Sequence, residues 1–307
     1  MSVYASPDPR VPEPLVAVTG VPNGAPPVLV FDSSTEWLAL AVNGPAGAFS
    51  LTVAGGAAAS AGLLPQALRL VAHAGVTLTD LHAVGFGSGP GAFTGLRTAC
   101  AVAQGLGLGL GLPLLPVDSL LLVAEDARLQ SAERTASAGS LEVAVVMDAR
   151  MNEVYAGRYL WQGASPDQGK DADQVPGQPG GQHAGAWQTL QAPQLCTLPA
   201  LLQAWGDRPL AVLAGSALNA FSDQLAPLQV NQHVPAERDR AAALLHLALR
   251  ALAAGQGVDA AQALPLYVRD KVAQTTLERD QARSGAAPAA AVQAGMHQPA
   301  AGLAGAA

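Results

Sequence analysis

Short apolar runs bounded by Gly, Pro, Ser or Asp recur along the chain, and between them lie stretches in which apolar residues return every three or four positions. PVLVFD (27–32) predicts a buried strand, LALAVN (38–43) a second after a short turn, and FSLTVAG (49–55) alternates like a third. Ala61 to Ala74 has helical spacing closed by Gly75, with Pro65 near the helix start, where its missing N–H costs least. AVGFGSG (83–89) is a short strand running into a glycine turn, and TGLRTACAVAQGLGLGLG continues as a helix with Thr94 available as N-cap. LPLLPVD leads to a further strand and SLLLVAEDARL to a helix. EVAVVMDARMNEVYAGRYL (142–160) reads as two strands around a tight turn at Asp148 to Asn152. A helix near 197–205, a strand at 209–214 and an Ala/Leu helix at 239–254 follow.

The pattern is α/β. Two halves that each open with a strand, turn, strand unit imply a duplicated fold of the actin and sugar-kinase type, with a hairpin on either side of a cleft. Mixed sheets flanked by helices are expected in both lobes. Composition sets the boundaries. Residues 1–26, 163–186 and 273–307 are rich in Gly, Pro, Gln or Ala and carry no hydrophobic period, so they read as a disordered extension, a disordered insertion and a flexible tail. That leaves a first lobe at 27–124 and a second at 125–272, whose helix 239–254 is free to return to the first.

Only 13% of the residues are charged, against roughly 25% in ordinary soluble domains, and half are apolar, enough for a large core. The net charge of −7 argues against a chain that grips nucleic acid alone, because phosphate neutralisation needs a concentrated basic surface. Cys100 and Cys196 form no CxxC or Cys/His cluster, so a reducing cytoplasm fits. The first 26 residues lack the basic start and apolar stretch of a signal peptide, and the apolar stretch from Ala101 to Val117 is broken by Gln104, glycines and two prolines, so no membrane span is expected.

The strongest local signal is GSGPGAFTGLRTACAVAQGL (87–106), where a strand hands over to a helix. Its glycines permit close approach of another chain or a phosphate to the helix N-terminus. It matches neither GxxxxGK[ST] nor GxGxxG, so a tight turn with Arg97 holding a carbonyl or carboxylate is the favoured reading. DSST (32–35) could place amides and a carboxylate near a phosphate or metal, and is also ordinary hairpin chemistry. DARMN (148–152) has no glycine. Arg150 and Met151 would fill the space a phosphate needs, and Asp148 with Arg150 reads equally as a local ion pair. The six histidines show no HExxH spacing, and there is no GxSxG elbow, which makes Ser88 a turn residue and Cys100 a small core residue. The Ala61 and Thr94 helices are apolar over more than one face. Either a two-lobed monomer buries them, or the extra faces meet another subunit.

Together VFDSSTEWLALAV, the stretch from LLPQALRLVAHAG to GPGAFTGLRTACAVAQGL, VVMDARMNEVYAGRY and LPLYVRD resemble the TsaB (YeaZ) family. The resemblance implies an actin-like, two-lobed fold with a decayed nucleotide site at Asp32, Ser34 and Asp148. It also implies a non-catalytic scaffold in synthesis of N6-threonylcarbamoyladenosine at position 37 of ANN-decoding tRNAs. The implied partner is TsaD, as a heterodimer, with TsaE in the larger complex, tRNA met only through the complex, and self-pairing when the chain is alone. No cofactor or metal is expected on this chain, ATP and metal belonging to the partners, although residual nucleotide binding stays open. The resemblance puts the TsaD contact on the two helices, at Leu64, Leu68, Val71, Arg97, Ala101 and Val102, with Gly89, Pro90, Gly91 and Thr94 shaping the turn. Where the family often has a His-Ser pair before the first helix, this chain has Ala59 and Ser60. The rival is an active ATP-dependent kinase or TsaD-type transferase of the same superfold.

Overall fold

The computed structural model describes residues 14–56, 59–131, 139–163 and 185–269. The first half runs β1 (Val16–Ala17), β2 (Val28–Asp32), β3 (Trp37–Gly44), β4 (Gly47–Ala54), α1 (Ala59–His73), β5 (Ala83–Gly89), α2 (Phe93–Leu110), β6 (Leu114–Asp118) and α3 (Ser119–Gln130). The second runs β7 (Ser140–Asp148), β8 (Glu153–Gln162), β9 (Ala186–Thr197), α4 (Leu198–Trp205), β10 (Leu210–Ala214), α5 (Ala217–Ala220), α6 (Ser222–Leu225), β11 (Val230–Val234) and α7 (Arg240–Ala253).

The sheets are ordered β1-β4-β3-β2-β5-β6 and β11-β10-β7-β8-β9. In each, the opening strand of the repeat (β2 or β7) pairs antiparallel with the next strand and parallel with the strand after the first helix, so the two halves repeat one topology. All five residues of β2 are buried, which requires cover on both faces. Leu29 and Phe31 point into a core with Leu63, Leu70 and Val71 of α1 and Ala99 of α2, while Val28 and Val30 meet Ala241, Leu244 and Leu245 of α7. β3 divides likewise, with Leu38, Leu40 and Val42 towards α1 and the small Ala39 and Ala41 towards α7. The Ala-rich face of α7 thus lies close to the sheet.

The closing helices are exchanged. α3 ends the first half and packs its Leu120, Val123 and Ala127 against Val143, Val145 and Tyr159 of the second sheet, whereas α7 ends the second half and covers the first sheet. α3 and α7 also pack on each other between the sheets, which is why both are buried nearly all round.

Three details differ from expectation. Residues 14–26 belong to the folded body rather than to a disordered extension: β1 pairs with β4, Val18 and Val21 pack on the core beside α7, and Thr19 O lies 2.9 Å from His246 Nε2. The division expected at 124/125 falls inside the continuous helix α3. Pro65 is well inside α1, on its exposed side, where the carbonyl it leaves without a donor is open to water. The inner part of the expected insertion, 164–184, and the tail lie outside the described residues. No described helix is long and apolar enough to cross a membrane.

Candidate functional site

α1 and α2 lie side by side on the outer face of the first sheet. Ala59, Leu63, Ala67, Leu70 and Val71 of α1 face inward, and Leu64 and Leu68 are left 43% and 44% exposed, one turn apart. On α2 the inward set is Leu96, Ala99, Cys100, Ala103 and Gly107, and Arg97, Ala101 and Leu108 are exposed. Of the six residues expected at a partner interface, Leu64, Leu68, Arg97 and Ala101 therefore reach the surface. Val71 does not: it is 3% exposed and part of the core. Val102 is half-buried against the same core. The apolar periodicity of α1 fixes two adjacent stripes but not which of them the sheet takes.

The N-cap of α2 is Ala92, without a side-chain cap, so Thr94 sits inside the first turn, where its carbonyl accepts from Thr98 Oγ1 at 3.0 Å. The first hairpin turn instead ties down this end of the helix. Ser33 Oγ donates to Gly95 O at 2.8 Å, and Ala92 N donates to Ser34 O at 2.7 Å. Gly95 must be glycine because a Cβ there would overlap the Ser33 carbonyl. Gly89 has φ 120°, and a Cβ on it would sit 2.6 Å from Leu266 O. Pro90 and Gly91 continue this turn into the wall of a cleft. Ser88 Oγ is spent on Val117 O at 3.0 Å, and burial pushes the Cys100 thiol up, so neither is a prepared nucleophile.

That cleft, of about 710 Å³, lies between the lobes and is lined by Ser34 and Thr35 of the first hairpin, Asp148 and Arg150 of the second, Ser216, and Arg240 of α7. Of the three residues expected to mark a decayed nucleotide site, Ser34 and Asp148 line it and Asp32 is sealed beneath. Asp32 Oδ1 accepts from Arg240 Nε at 3.0 Å, Ser34 N at 3.0 Å and Ser34 Oγ at 2.8 Å. Arg240 also donates to Ser34 Oγ and, through Nη1, to both oxygens of Glu237 at 2.9 and 2.7 Å. Burial opposes the charge on Arg240, but Asp32 and Glu237 outweigh it and hold the guanidinium protonated. The first hairpin's carboxylate is thus already matched by a cation from the chain itself.

The second hairpin is closed differently. Arg150, Met151 and Asn152 take φ of 66°, 57° and 59°, and Asp148 accepts from Arg150 N at 2.8 Å and pairs with Arg150 Nη1 at 3.4 Å. Glycine-free DARMN thus folds on itself, and Arg150, 86% exposed, stands at the mouth of the cleft.

Sequence reasoning missed Arg240 and Glu237. One signal was present: Arg240 is the first residue of α7, where the helix dipole disfavours a cation, so a carboxylate had to be near. Arg97 also contradicts its expected role. Among the described residues it holds no carbonyl or carboxylate; its Nε donates to Tyr267 Oη at 3.1 Å and its guanidinium lies over the Phe93 ring.

A family model described as "TsaD: tRNA N6-adenosine threonylcarbamoyltransferase" matches residues 57–275. The tRNA threonylcarbamoyladenosine biosynthesis protein TsaB of Escherichia coli is 30% identical over 217 residues, covering 69% of this chain and 80% of that protein. The chain belongs to the TsaB (YeaZ) family. TsaB of Haemophilus influenzae is 38% identical over 94 residues, 30% of this chain and 36% of its own length. The structure of YeaZ from Pseudomonas aeruginosa superposes with a TM-score of 0.60 at 30% identity, covering 78% of this chain and 99% of that one. The two-lobed actin-like architecture is that of a TsaB protein.

Proposed function

We propose that the chain is a non-catalytic scaffold subunit in synthesis of tRNA N6-threonylcarbamoyladenosine, and that it binds TsaD and activates it for transfer to adenosine 37 of ANN-decoding tRNAs. The observation that carries this reading is the outward apolar stripe of α1 and α2: Leu64, Leu68 and Leu108 are exposed on two adjacent helices that already fill the core with their other faces. The relatives' part in threonylcarbamoyladenosine biosynthesis supplies the pathway. The cleft agrees with borrowed catalysis. An active kinase or transferase of this superfold needs a free carboxylate and an open phosphate turn, and here Arg240 occupies Asp32 while Arg150 folds over Asp148. ATP and metal then belong to the partners, TsaE joins in the larger complex, tRNA is met through the assembly, and the compartment is the cytoplasm.

The test is reconstitution of tRNA modification with TsaC, TsaD, TsaE, ATP, threonine, bicarbonate and unmodified tRNA, with and without this chain. Modified adenosine should appear only with the chain present, and Leu68→Asp should remove both TsaD binding and stimulation while the monomer stays folded. Equal product without the chain would refute the scaffold role.

A further inference from the structure

Arg97 is the one charged side chain of α2; it stacks on one aromatic ring and hydrogen-bonds to a second. Its guanidinium carbon lies 3.9 Å from the Phe93 centroid and 6.0 Å from that of Tyr267, and the rings are 5.2 Å apart. Nε is taken by Tyr267 Oη, and among the described residues neither Nη group has a carboxylate or other hydrogen-bond partner. Both rings stay open to solvent, Phe93 36% and Tyr267 44% exposed.

The segment carrying Tyr267 is itself fastened along α2. Ala263 O accepts from Gln104 Nε2 at 2.9 Å and from Cys100 Sγ at 3.4 Å, and Leu266 N donates to Ser88 O at 2.7 Å. Leu264 and Leu266 on this segment are exposed, which adds apolar surface beside the cluster. An exposed arginine normally loses rotamer freedom when it binds, and here that loss has already been taken on folding.

Charge points to the occupant. α1 and α2 contain Arg69, Arg97 and His73 and no acidic residue, in a chain with 23 Asp and Glu and a net charge of −7. The face fits a partner that presents a carboxylate, because a planar guanidinium stacked on the Phe93 ring and fixed through Nε offers its two Nη groups as parallel N–H donors.

Resting on the docking role above, we propose that Arg97, stacked on Phe93 and tied to Tyr267 Oη, is the polar anchor of the α1–α2 docking surface and takes a carboxylate of the TsaD subunit in a bidentate pair, with Leu264 and Leu266 widening the apolar contact. The Phe93 ring shields one face of the guanidinium, and the apolar stripe of Leu64 and Leu68 supplies the area around it.

The experiment is calorimetric titration of the full chain with TsaD at low and high salt. Arg97→Ala weakens binding by about 30-fold or more and flattens the salt dependence. Arg97→Lys restores only a small part, because an ammonium cannot reproduce the fork. Tyr267→Phe keeps the ring, frees the guanidinium, and weakens binding about 3-fold. A double-mutant cycle with single acidic-to-alanine variants of TsaD finds one carboxylate whose effect disappears in the Arg97→Ala background. Native affinity in Arg97→Ala with no binding by Leu68→Asp removes the anchor and leaves the docking surface standing. Native affinity in both removes the docking surface and the anchor with it. If Arg97→Ala keeps its affinity for TsaD but lowers that of the assembled complex for tRNA, the rings stack a nucleobase and the carboxylate assignment is wrong.

Discussion

The two hairpins that face the cleft hold the same place in the repeat and are closed by opposite means. The first is closed from beneath by Arg240, which reaches Asp32 across 208 residues of sequence and is almost fully buried. The second is closed from its own tip by three non-glycine residues in left-handed backbone and an exposed local ion pair. One topology therefore loses an open anion site either through tertiary structure or through a turn of five residues. The first way builds the closure into the core, whereas the second leaves it at the surface.

The contrast predicts a graded series, each variant measured by urea unfolding. Arg240→Ala strands Asp32 and Glu237 without their cation and should cost about 3–5 kcal/mol, as breaking a buried pair does. A loss under about 1 kcal/mol would mean that the first hairpin is held by its backbone alone. Gly95→Ala drives a Cβ into the Ser33 carbonyl, so the turn and the α2 N-terminus must separate, at about 1–3 kcal/mol. It should also weaken TsaD binding, since the same hairpin orients the docking helix. Met151→Gly at φ 57° relieves left-handed strain of about 1–2 kcal/mol and adds unfolded-state entropy, for a net gain below about 1 kcal/mol. Arg150→Ala removes a solvent-screened pair and should change stability by less than about 0.5 kcal/mol. Equal losses for Arg240→Ala and Arg150→Ala would erase the distinction between the two closures.

Most of the strands legible in sequence have two neighbours, edge strand β6 being the exception. β5 spans 83–89 as read, α3 and α7 fall within a residue or two, and the β7–β8 hairpin turns where DARMN predicts. The strands that escaped, β1, β9 and β11, lie at the edges of their sheets. An edge strand has one paired neighbour and incomplete cover, so its alternation is diluted. β9 carries Pro193 and three glutamines over twelve mostly exposed or half-buried positions, and Pro is admitted at an edge because a donor is not needed there. The candidate site shows the same limit. Leu64 and Leu68 could be named because α1 has more apolar residues than a sheet can bury, but the phase that buries Val71 is set by the sheet. The hydrogen bond from Arg97 and the ion pair of Asp32 depend on Tyr267 and Arg240, whose separations of 170 and 208 residues no local pattern encodes.

The exchange of closing helices bears on how the protein is made. During synthesis the first sheet leaves the ribosome with its Ala39 and Ala41 side bare, and the helix that covers it is not translated until residue 253. The amino-terminal half cannot mature as an independent domain, and its native contacts are among the most distant in the sequence, which slows folding and prolongs exposure to aggregation. A fragment ending after α3 should therefore be insoluble, and co-expressing residues 139–269 as a separate chain should rescue it.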